Sequence, residues 1–181
     1  MNKIEQIRIH GRGGQGVVTA AELIAMAAFY DGLEAQAFPN FGVERSGAPI
    51  QSYARISKEK ILTREQIYQP SVLIIQDSSL LDSNNLLTGV NNDTKIIINA
   101  KENRWPELKN RKNVFFSPAT EIALEIIGKN IVNTVILGAF IKETKLISLN
   151  SLKKAIKEKF RDKGELIINK NIKAIEKAFN I

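Results

Sequence analysis

Strands alternating with helices predict an α/β fold, a single doubly wound, largely parallel sheet domain over residues 1–181 with amphipathic C-terminal helices. Three observations predict it. A strand, a glycine-rich turn and a helix open the chain; short continuous apolar runs recur at 72–76, 95–99 and 113–116; helical periodicity dominates after residue 119. No segment is low in complexity and no repeat recurs at a period of about 20–50 residues.

The elements follow in order. Residues 4–10, IEQIRIH, read as a strand closed by a glycine cluster. Val17–Tyr30, rich in Ala, Leu and Met, is a run of strong helix formers, apolar enough to be buried on more than one side. Asp31-Gly32 ends it, with Gly as the left-handed cap. A short strand at 34–38 leads into the loop PNFGVERSGAP, residues 39–49, whose two Pro and two Gly argue for a shaped connection. Residues 50–57, IQSYARIS, alternate as a strand does, and Ile61-Leu62 form a short neighbour. VLIIQ at 72–76, KIIIN at 95–99 and NVFF at 113–116 are strands covered on both faces. Helices are predicted over 120–127, closed by Gly128; over 132–146, with Gly138 inside; and, as amphipathic pieces, over 151–161 and 170–179.

Composition excludes several classes. A chain of 181 residues with 44% hydrophobic and 25% charged residues is an ordinary globular domain. No stretch approaches the roughly 20 apolar residues of a bilayer span, and the N-terminus lacks a secretion signal's apolar core. A cytoplasmic protein with no membrane partner is expected. Without Cys the chain has no thiolate with which to hold zinc or an iron–sulfur cluster, and the one His, His10, leaves little for a His-rich zinc site. The net charge of +7 is local: residues 142–181 carry eleven Lys/Arg against five Asp/Glu. Those charges fall on helix faces opposite Ile and Phe, a solvated face or a docking surface for an acidic partner, so no nucleic-acid partner is expected.

Residues 11–16, GRGGQG, satisfy G-x-G-x-x-G between a predicted strand and helix. Glycines let the backbone approach an anion, and the helix behind them points free N–H groups and its positive dipole end at it. Arg12 offers a phosphate contact and Gln15 a neutral hydrogen-bonding arm. NAD fits poorly, because no acid stands at the end of the second strand near Phe38-Pro39. A nucleotide triphosphatase fits less, since no Gly-Lys-Ser/Thr follows. Two readings stay open: a phosphate-bearing ligand other than NAD, or a tight turn whose glycines serve packing.

The second loop follows the second strand and is expected beside the first, beyond the carboxyl ends of the strands. Arg45 there could take a phosphate or carboxylate bidentately, and Glu44 could hold Arg12 or Arg45 in place; a surface ion pair of little consequence is the plainer alternative. Catalytic machinery is lacking. Ser46 has no G-x-S-x-G setting, no carboxylate cluster points to Mg²⁺, His10 reads as structural, and Asp77 as a cap for the next helix. The inventory favours a binding subunit over a self-sufficient catalyst.

RIHGRGGQGVVTAAELIA at 8–25 together with AFPNFGVERSGAPIQSYARIS at 37–57 resembles the gamma subunit of 2-oxoacid:ferredoxin oxidoreductases. The likeness continues through VLIIQDSSLL at 72–81, KIIIN at 95–99 and residues 131–160. The resemblance implies a share in oxidative decarboxylation of a 2-oxoacid to acyl-coenzyme A with reduction of ferredoxin. It implies alpha, beta and delta-type partner subunits, with thiamine diphosphate and iron–sulfur clusters held only by those partners. It also implies coenzyme A at this chain, with Gly11, Arg12, Gly13, Gly14, Gln15 and Gly16 as the binding loop and Glu44 and Arg45 as further contacts. FGVERSGAP resembles the pyruvate or branched-chain members, although many of these carry a second Arg where Ser46 stands. A stand-alone nucleotide-binding oxidoreductase and a purely structural assembly subunit are the alternatives.

Overall fold

The computed structural model describes residues 4–40, 47–82 and 85–181. Six strands form one sheet: β1 (Glu5–Arg12), β2 (Glu34–Pro39), β3 (Pro49–Ser57), β4 (Val72–Ile75), β5 (Lys95–Asn99) and β6 (Val114–Ser117), in the order β2-β3-β1-β4-β5-β6. β1, β4, β5 and β6 pair in parallel, and β3 runs antiparallel to both β1 and β2. The predicted α/β sheet with C-terminal helices is present, refined by this one reversed strand.

One face of the sheet carries the helices: α1 (Val17–Tyr30), α2 (Ala119–Ile122) continued by a π turn at Ala123–Ile127, α3 (Val132–Thr144), α4 (Leu149–Lys159) and α5 (Glu165–Asn180). Ile7, Ile9, Ala54, Ile56, Val72, Ile74 and Ile97 meet them in a core centred on α1 and α3. Leu73, Ile75, Ile96 and Ile98 point the other way, onto Leu80, Leu81, Leu86, Trp105 and Leu108 from 3₁₀ turns and loops. The strand alternation that sends neighbours to opposite faces thus builds two cores of different construction.

Local chemistry explains the boundaries. Asp31 and Gly32 close α1 as expected, with Gly32 at φ 77° and Leu33 N–H donating to the Ala28 carbonyl. The Asp31 carboxylate then accepts from Ser148 N–H and from the hydroxyls of Ser148 and Ser151, so the end of α1 anchors the start of α4. Gly138 lets α3 approach α5: a Cβ there would stand 2.9 Å from Ala178 Cβ and 2.9 Å from the Phe179 nitrogen.

The sequence expectations shift at several places, and α4 spans Leu149–Lys159, two residues earlier than expected at each end. The predicted helix at 120–127 begins as α-helix and widens into the π turn, closed by Gly128 at φ 84°. α3 ends at Thr144, where Lys145 takes a left-handed conformation. α5 begins at Glu165 instead of 170, directly after Gly164. Ile61 is buried but joins no strand, and Leu62 is 79% exposed.

Candidate functional site

The glycine loop lies at the carboxyl ends of the parallel strands. Its first two residues still belong to β1, where Gly11 and Arg12 pair with Ile50 and Pro49 of β3. Gly11 is required by close approach, since a Cβ would run into Val17 Cγ2 and reach 3.0 Å from Gln15 Oε1 and 3.3 Å from Gln76 Oε1. Gly13 is stitched to the end of the second loop: its N–H donates to the Ala48 carbonyl at 2.9 Å, and its carbonyl accepts from Gly47 N–H at 3.1 Å. The end of the second loop, Gly47 and Ala48, therefore lies beside the first as expected. Glu44, Arg45 and Ser46 lie outside the described residues.

Gly14 and Gly16 carry the turn, with φ of 92° and 71°. Gly14 faces open space, whereas a Cβ on Gly16 would strike Asn133. Gly16 is also the N-cap of α1, with no side chain capping it and no acid in the first turn. Among the described residues no side chain caps the first N–H groups of this 14-residue helix, which suits them to an external acceptor, and the helix dipole adds positive potential there.

Arg12 and Gln15 brace this turn. The Arg12 guanidinium donates from Nε to Asp77 at 3.0 Å, from Nη1 to the Gly47 carbonyl at 3.2 Å and from Nη2 to Ser79 Oγ at 3.0 Å. Gln15 accepts from Arg12 N–H at 2.7 Å through Oε1 and donates to Asp77 at 3.1 Å through Nε2. Asp77 also acts as the predicted cap, accepting from Ser79 N–H and Oγ, but the segment it caps is a short 3₁₀ turn at Ser78–Leu81 and not the expected helix. Burial would raise the Asp77 carboxyl, but hydrogen bonds from Ser79 and Gln15 and the charge of Arg12 outweigh it and hold the group below the usual carboxylate range. Asp77, sixty-five residues from Arg12, is thus the acid that holds this arginine.

Three further polar residues converge below the loop. Asn133, at the start of α3, donates to the Gly16 carbonyl at 3.3 Å, while its Oδ1 is buried without a partner. Gln76 is 1% exposed with both side-chain polar atoms unpaired. Asn99 ties the Gln76 carbonyl to Thr120. Nothing local in the sequence marks Asn133, which meets Gly16 across 117 positions.

His10 is buried on the same side of β1 as Arg8. Burial, reinforced by the Arg8 charge, pushes its pKa down to about 3, so it is neutral near pH 7. No group of three or more His, Cys, Asp or Glu that could hold a metal occurs among the described residues. Among the described residues, the arrangement suits anion binding at a braced turn.

The profile of the family described as pyruvate ferredoxin/flavodoxin oxidoreductase matches residues 6–181. The chain belongs to that family. It is 48% identical to pyruvate synthase subunit PorC of Methanocaldococcus jannaschii, covering 97% of this chain and 95% of that one. To the pyruvate/ketoisovalerate oxidoreductases common subunit gamma of Thermococcus kodakarensis it is 46% identical, over 97% and 95% of the two chains. Among solved structures, pyruvate oxidoreductase subunit PORC of Thermotoga maritima superposes with a TM-score of 0.83 at 30% identity, over 98% of this chain and 96% of that one. The 2-oxoglutarate:ferredoxin oxidoreductase of Magnetococcus marinus, solved with 2-oxoglutarate, coenzyme A and succinyl-CoA bound, aligns with a TM-score of 0.80 at 26% identity; the match covers 98% of this chain and 31% of that longer one. Within the family this chain is a gamma-type member, and no helix among its described residues is long and apolar enough to cross a membrane.

Proposed function

We propose that this chain, as one domain over residues 1–181, is the gamma subunit of a cytoplasmic pyruvate-type 2-oxoacid:ferredoxin oxidoreductase and binds coenzyme A at Gly11–Gly16. The observation that carries the proposal is the uncapped N-terminus of α1 behind a glycine turn whose Gly14 faces open space. A diphosphate or 3′-phosphate suits that potential, and the first turn of the helix carries no acid; the nearby Asp77 carboxylate is paired with Arg12. Coenzyme A bound in the Magnetococcus marinus relative agrees with this ligand class.

Coenzyme A supplies the thiol that accepts the acyl group. This chain's part is positional: Asp77 fixes Arg12 and Gln15, these fix the turn, and the turn presents backbone N–H groups in one geometry. Thiamine diphosphate and iron–sulfur clusters belong to alpha, beta and delta-type partners, and ferredoxin is the electron acceptor of the whole complex. The Cys-free sequence agrees with clusters held elsewhere.

In the assembled enzyme, Gly14→Leu should raise the KM for coenzyme A at least tenfold while decarboxylation of the 2-oxoacid measured without coenzyme A stays within twofold. Equal loss of both half-reactions in a folded, assembled variant would overturn the assignment. A colourless, partner-free chain that binds a nicotinamide would instead favour a stand-alone oxidoreductase. Unchanged activity after Arg12→Ala and Gln15→Ala would favour a purely structural subunit.

A further inference from the structure

α5 carries two stripes. Asn171, Ala174, Ile175 and Ala178 are buried in the helix layer. A second row, Leu166, Lys170, Lys173 and Lys177, is spaced i, i+4, i+7 and i+11 and so runs about 16 Å along one side of the helix. Beside it the π turn contributes Glu125 and Ile126, and together they line an open groove of about 560 Å³.

Apolar surface adjoins the groove. Leu166, which lines it, is 70% exposed, and Leu124, next to Glu125 in the chain, is 52% exposed. The charge beside them is incompletely matched. Lys177 is paired with Glu125 at 2.6 Å, and Lys170 donates to the Ile127 carbonyl at 3.3 Å. Lys173 has no ion pair among the described residues, and Glu125 is the only carboxylate lining the groove.

We propose that this groove docks an acidic segment of another subunit of the same oxidoreductase. An apolar side chain of that segment rests on Leu166 and Ile126, and its carboxylates meet Lys170 and Lys173. Charge complementarity selects this occupant: two copies of the row set face to face would oppose lysine to lysine, whereas an acidic segment satisfies both the lysines and the apolar end. The inference rests on the chain being part of a multi-subunit enzyme.

Carbodiimide cross-linking of the complex, purified from its host through a tag on this chain, tests it. Lys170 or Lys173 should be joined to an Asp or Glu of a different subunit. The Lys170→Glu/Lys173→Glu variant should recover at least tenfold less of the other subunits, while Lys60→Glu, in a loop remote in sequence, recovers them in full; the isolated variant should keep the parent's melting temperature. Reductive methylation of Lys173 as complete in the complex as in the free chain, or full recovery by the double variant, would overturn the docking site. So would cross-links joining two copies of this chain. A wild-type chain that purifies with no other subunit removes the multi-subunit reading itself, a separate result.

Discussion

The two faces of the sheet are sealed by different means. On the helix-covered face, the covering segments satisfy their own backbone, so apolar contact suffices, and Phe140, Ile136 and Leu23 are wholly buried among other hydrocarbons. On the opposite face, 3₁₀ turns and loops bring carbonyls that no ladder pairs. Buried arginines collect them: Arg8 donates to the carbonyls of Ile67, Tyr68, Leu86 and Thr88, and Arg55 to that of Glu65. Where the covering chain is irregular, a charged side chain in the interior replaces regular hydrogen bonding, and the face depends on a few polar atoms instead of on packed volume.

The largest effect that separates the two faces should come from Phe140→Ala. A cavity between α3 and its neighbours is expected to cost about 3–5 kcal/mol, read as a lower urea midpoint with hydrogen exchange accelerated throughout the fold. Arg8→Met should cost about 2–4 kcal/mol, but with lost protection concentrated in residues 61–70 and 85–90. Equal loss of protection in α3 and α5 would break the contrast between the faces. His10 gives the smallest and most specific signal. The unfolded chain binds its imidazole proton as pH falls through 6.5, whereas the folded chain binds it only near pH 3, so stability falls as pH is lowered between those values. From pH 7.5 to pH 5 this amounts to about 2 kcal/mol, and His10→Gln should flatten that part of the urea-midpoint profile.

Much of this was legible because it is local. Apolar runs fixed β4 and β5, helix formers followed by Asp31-Gly32 fixed α1, and a glycine turn between strand and helix marked the site. The reversal of β3 follows from a signal that pattern alone does not weigh: only nine residues separate β2 from β3, too few for the crossover that parallel neighbours need. The early start of α5 was hidden by Asn169, which interrupts the apolar run Leu166–Ile168 just before the predicted start. Asp77 was readable as a cap because that bond reaches two residues along the chain; its hold on Arg12 and Gln15 was not, because it depends on β1 and β4 lying side by side.

The contact at Gly138 has a mechanical consequence. A helix resting on its neighbour's bare backbone is indexed like a gear tooth, because rolling α5 about its axis would drive larger side chains into the space that only a hydrogen now fills. The azimuth of the C-terminal helix is set before any encounter, and with it the direction in which its lysines point. Whatever meets that surface must conform to it, and the helix backbone gives up little conformational freedom when it does, leaving only the side chains to be ordered.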